Sequence, residues 1–134
     1  MASRRRFIRG GAMGLGALTA ASTAFVGPLA GSKTATASLN VIYPARDGVR
    51  FDVGYYRTTH IPLAMQIMKA DRVLLIEGIP NGDKAPPYVM ICHFEFASIA
   101  ALQAALAQPE MAKIRADVAN FTDIKPDVML GKSA

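Results

Sequence analysis

Apolar and polar residues alternate in LNVIYP, residues 39–44, and the run ends at Pro44 before the turn-forming ARDG. That pattern predicts a first strand over residues 39–43. In FDVGYYRTTHIPLAMQIMKA the period changes: Val53, Tyr56, His60, Leu63 and Ile67 step by three, four, three and four, which makes one stripe on a helix. Asp52 stands where an N-cap belongs. RVLLIEGI and YVMICHFEF then read as two strands, joined by PNGDKAPP, whose Asn81-Gly82 and paired prolines mark a loop. Ser98 is placed to cap a second helix, IAALQAALA, and Pro109 to start a further turn through Met111, Ile114 and Val118. DIKPDVML closes the chain as a last strand, expected at an edge because Pro126 lacks a donor.

The order βαββαβ is that of an α+β, ferredoxin-like domain: a four-stranded antiparallel sheet with helices on one face. Both sides of the strands are apolar, however. Val73 and Leu75 oppose Leu74 and Ile76, and Val89 and Ile91 oppose Met90, Cys92, Phe94 and Phe96. A sheet with water on one face alternates apolar with polar, so a second subunit is expected to cover the open face, as a symmetric homodimer.

His60 lies in the middle of the helix stripe, with Tyr56 one turn earlier and within reach of a hydrogen bond. Pro62 removes a donor and collides with the Thr58 carbonyl, so a kink or break is expected there, opening a pocket between this helix and the sheet. The residues alone leave two readings of His60 open: a satisfied core histidine, or an imidazole that exchanges a proton with a bound small molecule. His93 shares a strand face with Val89, Ile91 and Glu95, where it either lines the pocket or dimer interface or is structural. Cys92 and His93 point to opposite faces and form no recognisable metal pattern with His60, so no metal site is expected. Cys92 itself reads as a small buried hydrophobe, and as the single cysteine it excludes an intramolecular disulfide. Asn120, Thr122 and Asp123 either bind substrate or order the approach to the last strand.

Charge sharpens the domain reading. The chain of 134 residues has 15 Lys and Arg against 10 Asp and Glu, but Arg4, Arg5, Arg6, Arg9 and Lys33 lie in residues 1–37, which hold no acid. The remainder is balanced, which gives no general electrostatic basis for binding nucleic acid. SRRRFIRGG, the uncharged run after it and Ala35-Thr36-Ala37 have the three parts of an export signal. The first of these resembles the twin-arginine signal, so export by the twin-arginine translocase to the periplasm or beyond is expected. Cleavage after Ala37 would leave a domain of residues 38–134; without cleavage the segment would serve as a membrane anchor. GGAMGLG has the glycine density of a phosphate loop but no preceding strand, and no dinucleotide fingerprint occurs elsewhere, so no cofactor is evident.

FDVGYYRTTHIPLA, PPYVMICHFEF and Asn120-Phe121-Thr122-Asp123-Ile124 before Pro126 resemble the successive blocks of EthD-domain proteins. The resemblance implies a dimeric α+β barrel of ferredoxin-like subunits, classed loosely with oxidoreductases and acting on a small, aromatic, ether-like or lactone-like molecule. It makes His60 the matching histidine, Tyr55 and Tyr56 the tyrosine pair, and residues 120–123 the late block. The expected site is therefore His60 and Tyr56 as catalytic groups, with Tyr55, Asn120, Phe121, Thr122, Asp123 and His93 at the substrate. Competing readings are a non-catalytic binding module exported beside a redox partner, and a cofactor-free isomerase or decarboxylase.

Overall fold

Eight residues from Ala37 to Pro44 form β1, longer at both ends than the alternating run suggested. The computed structural model describes residues 34–134, so the expected export signal lies outside the described residues. Ala37 is the first residue of β1, is buried, and pairs with Phe96 and Lys132, so scission after it would remove the end of that ladder, one core side chain and the bonds of Ala35 and Thr36 to Ser133 and Phe96. After β1 come α1 (Val53–Tyr55), a π-helical turn (Tyr56–His60), α2 (Ile61–Met68), β2 (Arg72–Glu77), β3 (Tyr88–Phe96), α3 (Ile99–Leu106), α4 (Met111–Phe121) and β4 (Asp127–Lys132). The sheet is antiparallel throughout in the order β2-β3-β1-β4, the arrangement expected of the βαββαβ sequence. β4 is an edge strand, but Pro126 precedes it; strand order rather than a missing donor puts it there.

Local signals set the helix ends. The Asp52 carboxylate accepts from the Tyr55 N–H at 2.9 Å and the Ser98 hydroxyl accepts from the Ala101 N–H at 3.0 Å, each satisfying an otherwise unpaired donor. Between α1 and α2 the Ile61 N–H bonds the Tyr56 carbonyl, five residues back rather than four. Pro62 explains the widening, because it has no N–H for the Thr58 carbonyl and its ring needs room there. The wide turn rotates α2 about its own axis: after His60 the buried positions are Ile61, Ala64, Ile67 and Met68, while Leu63, expected in the stripe, is only half-buried. A strict 3.6-residue period could not carry the stripe through that turn.

The core lies between the helices and one face of the sheet. Leu39 and Tyr43 of β1 and Met90, Cys92, Phe94 and Phe96 of β3 are buried on that face. At its end Tyr43, Phe51, Tyr56 and Phe121 meet mostly edge to face, with ring centroids 4.9 to 5.9 Å apart. The opposite face carries exposed Leu74, Ile76 and Met129.

A clamp closes the end of α4 onto the loop before α1. The Asp52 N–H donates to the Phe121 carbonyl at 2.8 Å, and the Arg50 guanidinium donates to the carbonyls of Ala119 and Asn120. Thr122, almost fully buried, donates from Oγ1 to the Arg50 carbonyl at 2.7 Å and accepts from the Ile124 N–H at 3.0 Å. Thr122→Val keeps the shape but strands both backbone groups, so it is expected to cost about 1–3 kcal/mol in chemical denaturation, whereas Thr122→Ser keeps most of the stability.

Candidate functional site

His60 is supplied by the last position of the π turn and Asp117 by the middle of α4. They meet because the clamp holds the end of α4 against the loop that launches the first helix. His60 Nδ1 lies 2.8 Å from Asp117 Oδ2, and both side chains are withdrawn from solvent. The second carboxylate oxygen, Oδ1, accepts from the Tyr55 hydroxyl at 2.7 Å and from the Asn120 amide at 2.9 Å. Asp117 is thus held by donors from three positions. The imidazole lies near-parallel to Tyr56, with centroids 5.4 Å apart, and against Phe121 at 4.5 Å.

Beside this pair is a cavity of about 230 Å³ between the sheet, the first helix and α4. Leu39, Val41, Ala64, Met68, Phe94 and Ile114 give it apolar walls, Tyr43, Tyr56 and His60 join the lining, and Arg115 and Val128, both exposed, stand with Val118 toward the outside. With Nδ1 engaged by Asp117, Nε2 is the His60 nitrogen left for the cavity.

The titrating groups fall into two sets. Burial pushes the His60 pKa below its ordinary value, against the opposing pull of Asp117. Burial would raise Asp117, but the hydrogen bonds from Asn120, Tyr55 and His60 together hold it below the usual carboxylate value. Tyr55, donating to Asp117, is raised. Tyr43 and Tyr56 are driven well above the ordinary phenol range by burial, and the Cys92 thiol is pushed up to about 12 by the same cause. The imidazole is therefore neutral at pH 7 with its proton on Nδ1, which leaves the Nε2 lone pair as an acceptor.

Of the residues singled out in the sequence, the structure brings together His60, Tyr55, Tyr56, Asn120 and Phe121. Tyr56 meets the imidazole by ring stacking, and the hydrogen-bonded partner is Asp117. Thr122 and Asp123 serve the clamp: Thr122 through its two backbone bonds, and Asp123 through an ion pair with Arg50 at 3.6 Å. His93 is on the other side of the sheet from the cavity, where Nδ1 lies 2.6 Å from Asn40 Oδ1. Neither Asp117 nor Arg115 stands out in the sequence patterns. Asp117 has one signal, its position three residues before Asn120, which puts the two on one helix face. Among the described residues no group of three or more His, Cys, Asp and Glu side chains is set to hold a metal ion.

The family model of the EthD domain matches residues 50–125. An EthD-like protein from Ralstonia eutropha JMP134 is similar in structure, with 28% identity and a TM-score of 0.67 over 73% of this chain and 91% of that one. An ethyl tert-butyl ether D (EthD) family protein from Bacillus halodurans C-125 shares the fold at 17% identity and a TM-score of 0.61, covering 74% of this chain and 99% of that one. So does a protein of Arabidopsis thaliana, at 14% identity and a TM-score of 0.55, covering 73% and 95%. None of the curated proteins matches the chain.

The opposing influences on His60 make a testable difference. In Asp117→Asn the imidazole loses the carboxylate that offsets burial, so its pKa, followed by NMR titration, is expected to fall below that of the wild type. An unchanged or higher value would show that Asp117 does not act on the ring. In the wild type the depressed value also means that His60 favours the fold fully above about pH 6.5. That contribution is lost as pH falls through the folded pKa.

Proposed function

Because the chain belongs to the EthD family, we propose that it is an enzyme that binds a small, largely apolar organic molecule in the His60 cavity and moves a proton on it. The observation that carries this reading is the imidazole held at Nδ1 by Asp117 at the wall of an apolar cavity. Nε2 takes the proton from the substrate, and the imidazolium so formed is stabilised by Asp117, 2.8 Å from Nδ1. Tyr55 and Asn120 position the carboxylate and do not reach the substrate themselves. Proton transfer is the part that these residues supply to an isomerising, decarboxylating or oxidoreductive reaction alike.

Two further parts of the reading concern assembly and location. The exposed Leu74, Ile76 and Met129 on the open sheet face support a homodimer seated there. The Ser3-Arg4-Arg5-Arg6-Phe7 run supports export by the twin-arginine route. Among the described residues no helix is long and apolar enough to cross a membrane.

The competing reading is a binding module in which the His60–Asp117 pair is a satisfied core contact, and the burial of His60 among Tyr56 and Phe121 is what favours it. Screening aromatic, ether and lactone compounds for turnover separates the two. His60→Gln is expected to fold, to bind the compound found, and to lose about 10²–10⁴ in rate; Tyr55→Phe should lose less. The rate should rise through an apparent pKa below about 6.5, because only the neutral imidazole is competent. Retention of full rate by His60→Gln would sink the catalytic reading. For the dimer, light scattering should give twice the chain mass, and Ile76→Lys should shift the protein to monomer; a monomeric wild type refutes the proposed seat.

A further inference from the structure

Of the side chains that line the His60 cavity, Arg115 alone bears a full charge. It lies on α4 two residues before Asp117, and it is exposed to solvent, so it stands at the rim and not in the wall. Its surroundings differ from those of most arginines in the domain. Arg50, Arg57 and Arg72 each have a carboxylate oxygen at 3.0 to 3.6 Å, whereas Arg115, like Arg46, makes no ion pair and no side-chain hydrogen bond among the described residues; of these two unpaired guanidinium groups only Arg115 lines the cavity.

The rim also leads somewhere. A shallower groove of about 730 Å³ shares Arg115, Val118 and Val128 with the cavity and adds Lys125. The one carboxylate in that groove, Asp123, is engaged by Arg50. An apolar chamber therefore opens past an unpaired guanidinium onto a surface with net positive charge.

We infer that the ligand is amphipathic, an apolar body in the cavity joined to a carboxylate that rests on Arg115 at the rim. The guanidinium presents parallel N–H donors that match the two oxygens of a carboxylate, and its position keeps that charge in partial contact with water. The body of the molecule stays in apolar surroundings, with its reacting atom facing His60. Such a division orients the ligand, because the reversed pose would bury the carboxylate among Leu39, Phe94 and Ile114. The inference rests on the proposal that the His60 cavity is the ligand site.

Two planar probes of one size test it: 2-naphthoate, and 2-acetylnaphthalene, in which a methyl replaces one carboxylate oxygen. Both are titrated calorimetrically into the full-length protein. The wild type is expected to bind 2-naphthoate about fivefold more tightly at low salt, with the advantage eroding as ionic strength rises. Arg115→Met, which keeps an apolar stem, should bring the ratio to one without weakening 2-acetylnaphthalene, and Arg115→Lys should restore part of it. A ratio of one in the wild type, or a ratio that survives in Arg115→Met, overturns the inference. Ala64→Phe fills the cavity, and Val128→Trp obstructs the rim should the first variant fail to fold. If both probes bind equally and both are lost on obstruction, the carboxylate inference falls while the cavity stands. If neither probe binds, or obstruction changes neither, both fall.

Discussion

Tyr55 and His60 stand five positions apart, and in a regular α-helix of about 3.6 residues per turn they would project about 140° apart. Both nevertheless reach the two oxygens of Asp117. The π turn between them makes this possible, since closing the backbone ring at the fifth residue brings positions five apart round to one side. The cost of the turn falls where the sequence had already lost a hydrogen bond, at Pro62. One proline thus fixes where the helix widens, and the widening fixes which side chains share the carboxylate. Tyr56, four residues before His60, is correspondingly set to stack on the ring.

The turn would be useless if α4 were free to slide, because Asp117 arrives from a separate helix far along the chain. The clamp around Thr122 supplies the register. Arg50 spans two carbonyls at the C-terminus of α4, where orphan acceptors favour a cation, and Thr122 returns two bonds to the loops on either side. Of the stretch Asn120-Phe121-Thr122-Asp123, the first two residues therefore touch the Asp117–His60 pair directly, and the last two hold it in place.

This division shows what could be seen in the sequence. Strand and helix order and the caps at Asp52 and Ser98 rest on local chemistry and short periods, and they were legible; the last strand is at an edge as expected, but strand order and not Pro126 puts it there. So was the inward direction of Tyr56 and His60. The helix face beyond Pro62 was legible only in part: Ile67 is buried as the stripe required, but Leu63 belonged to it only if 3.6 residues per turn held throughout. Asp117 was hidden for another reason. It sits in a helix whose exposed face is charged, where one more acid reads as solvated surface, and only a contact across 57 positions gives it a different meaning.

The electrostatic result narrows the chemistry available in the cavity. Three oxygen or nitrogen groups of its lining can in principle exchange a proton: the Tyr43 and Tyr56 phenols and the His60 imidazole. Burial raises both phenols still further from neutrality than an ordinary tyrosine, because each would have to ionise in an apolar aromatic cluster. The same burial acts on the imidazole in the opposite sense and keeps it neutral, with Asp117 holding the tautomer. The lowered pKa of Asp117 ensures that the carboxylate remains the acceptor in that hydrogen bond. Only the His60 lone pair is then poised to take a proton at pH 7. Its protonated form is also the one product of such a transfer for which the cavity already provides a counter-charge.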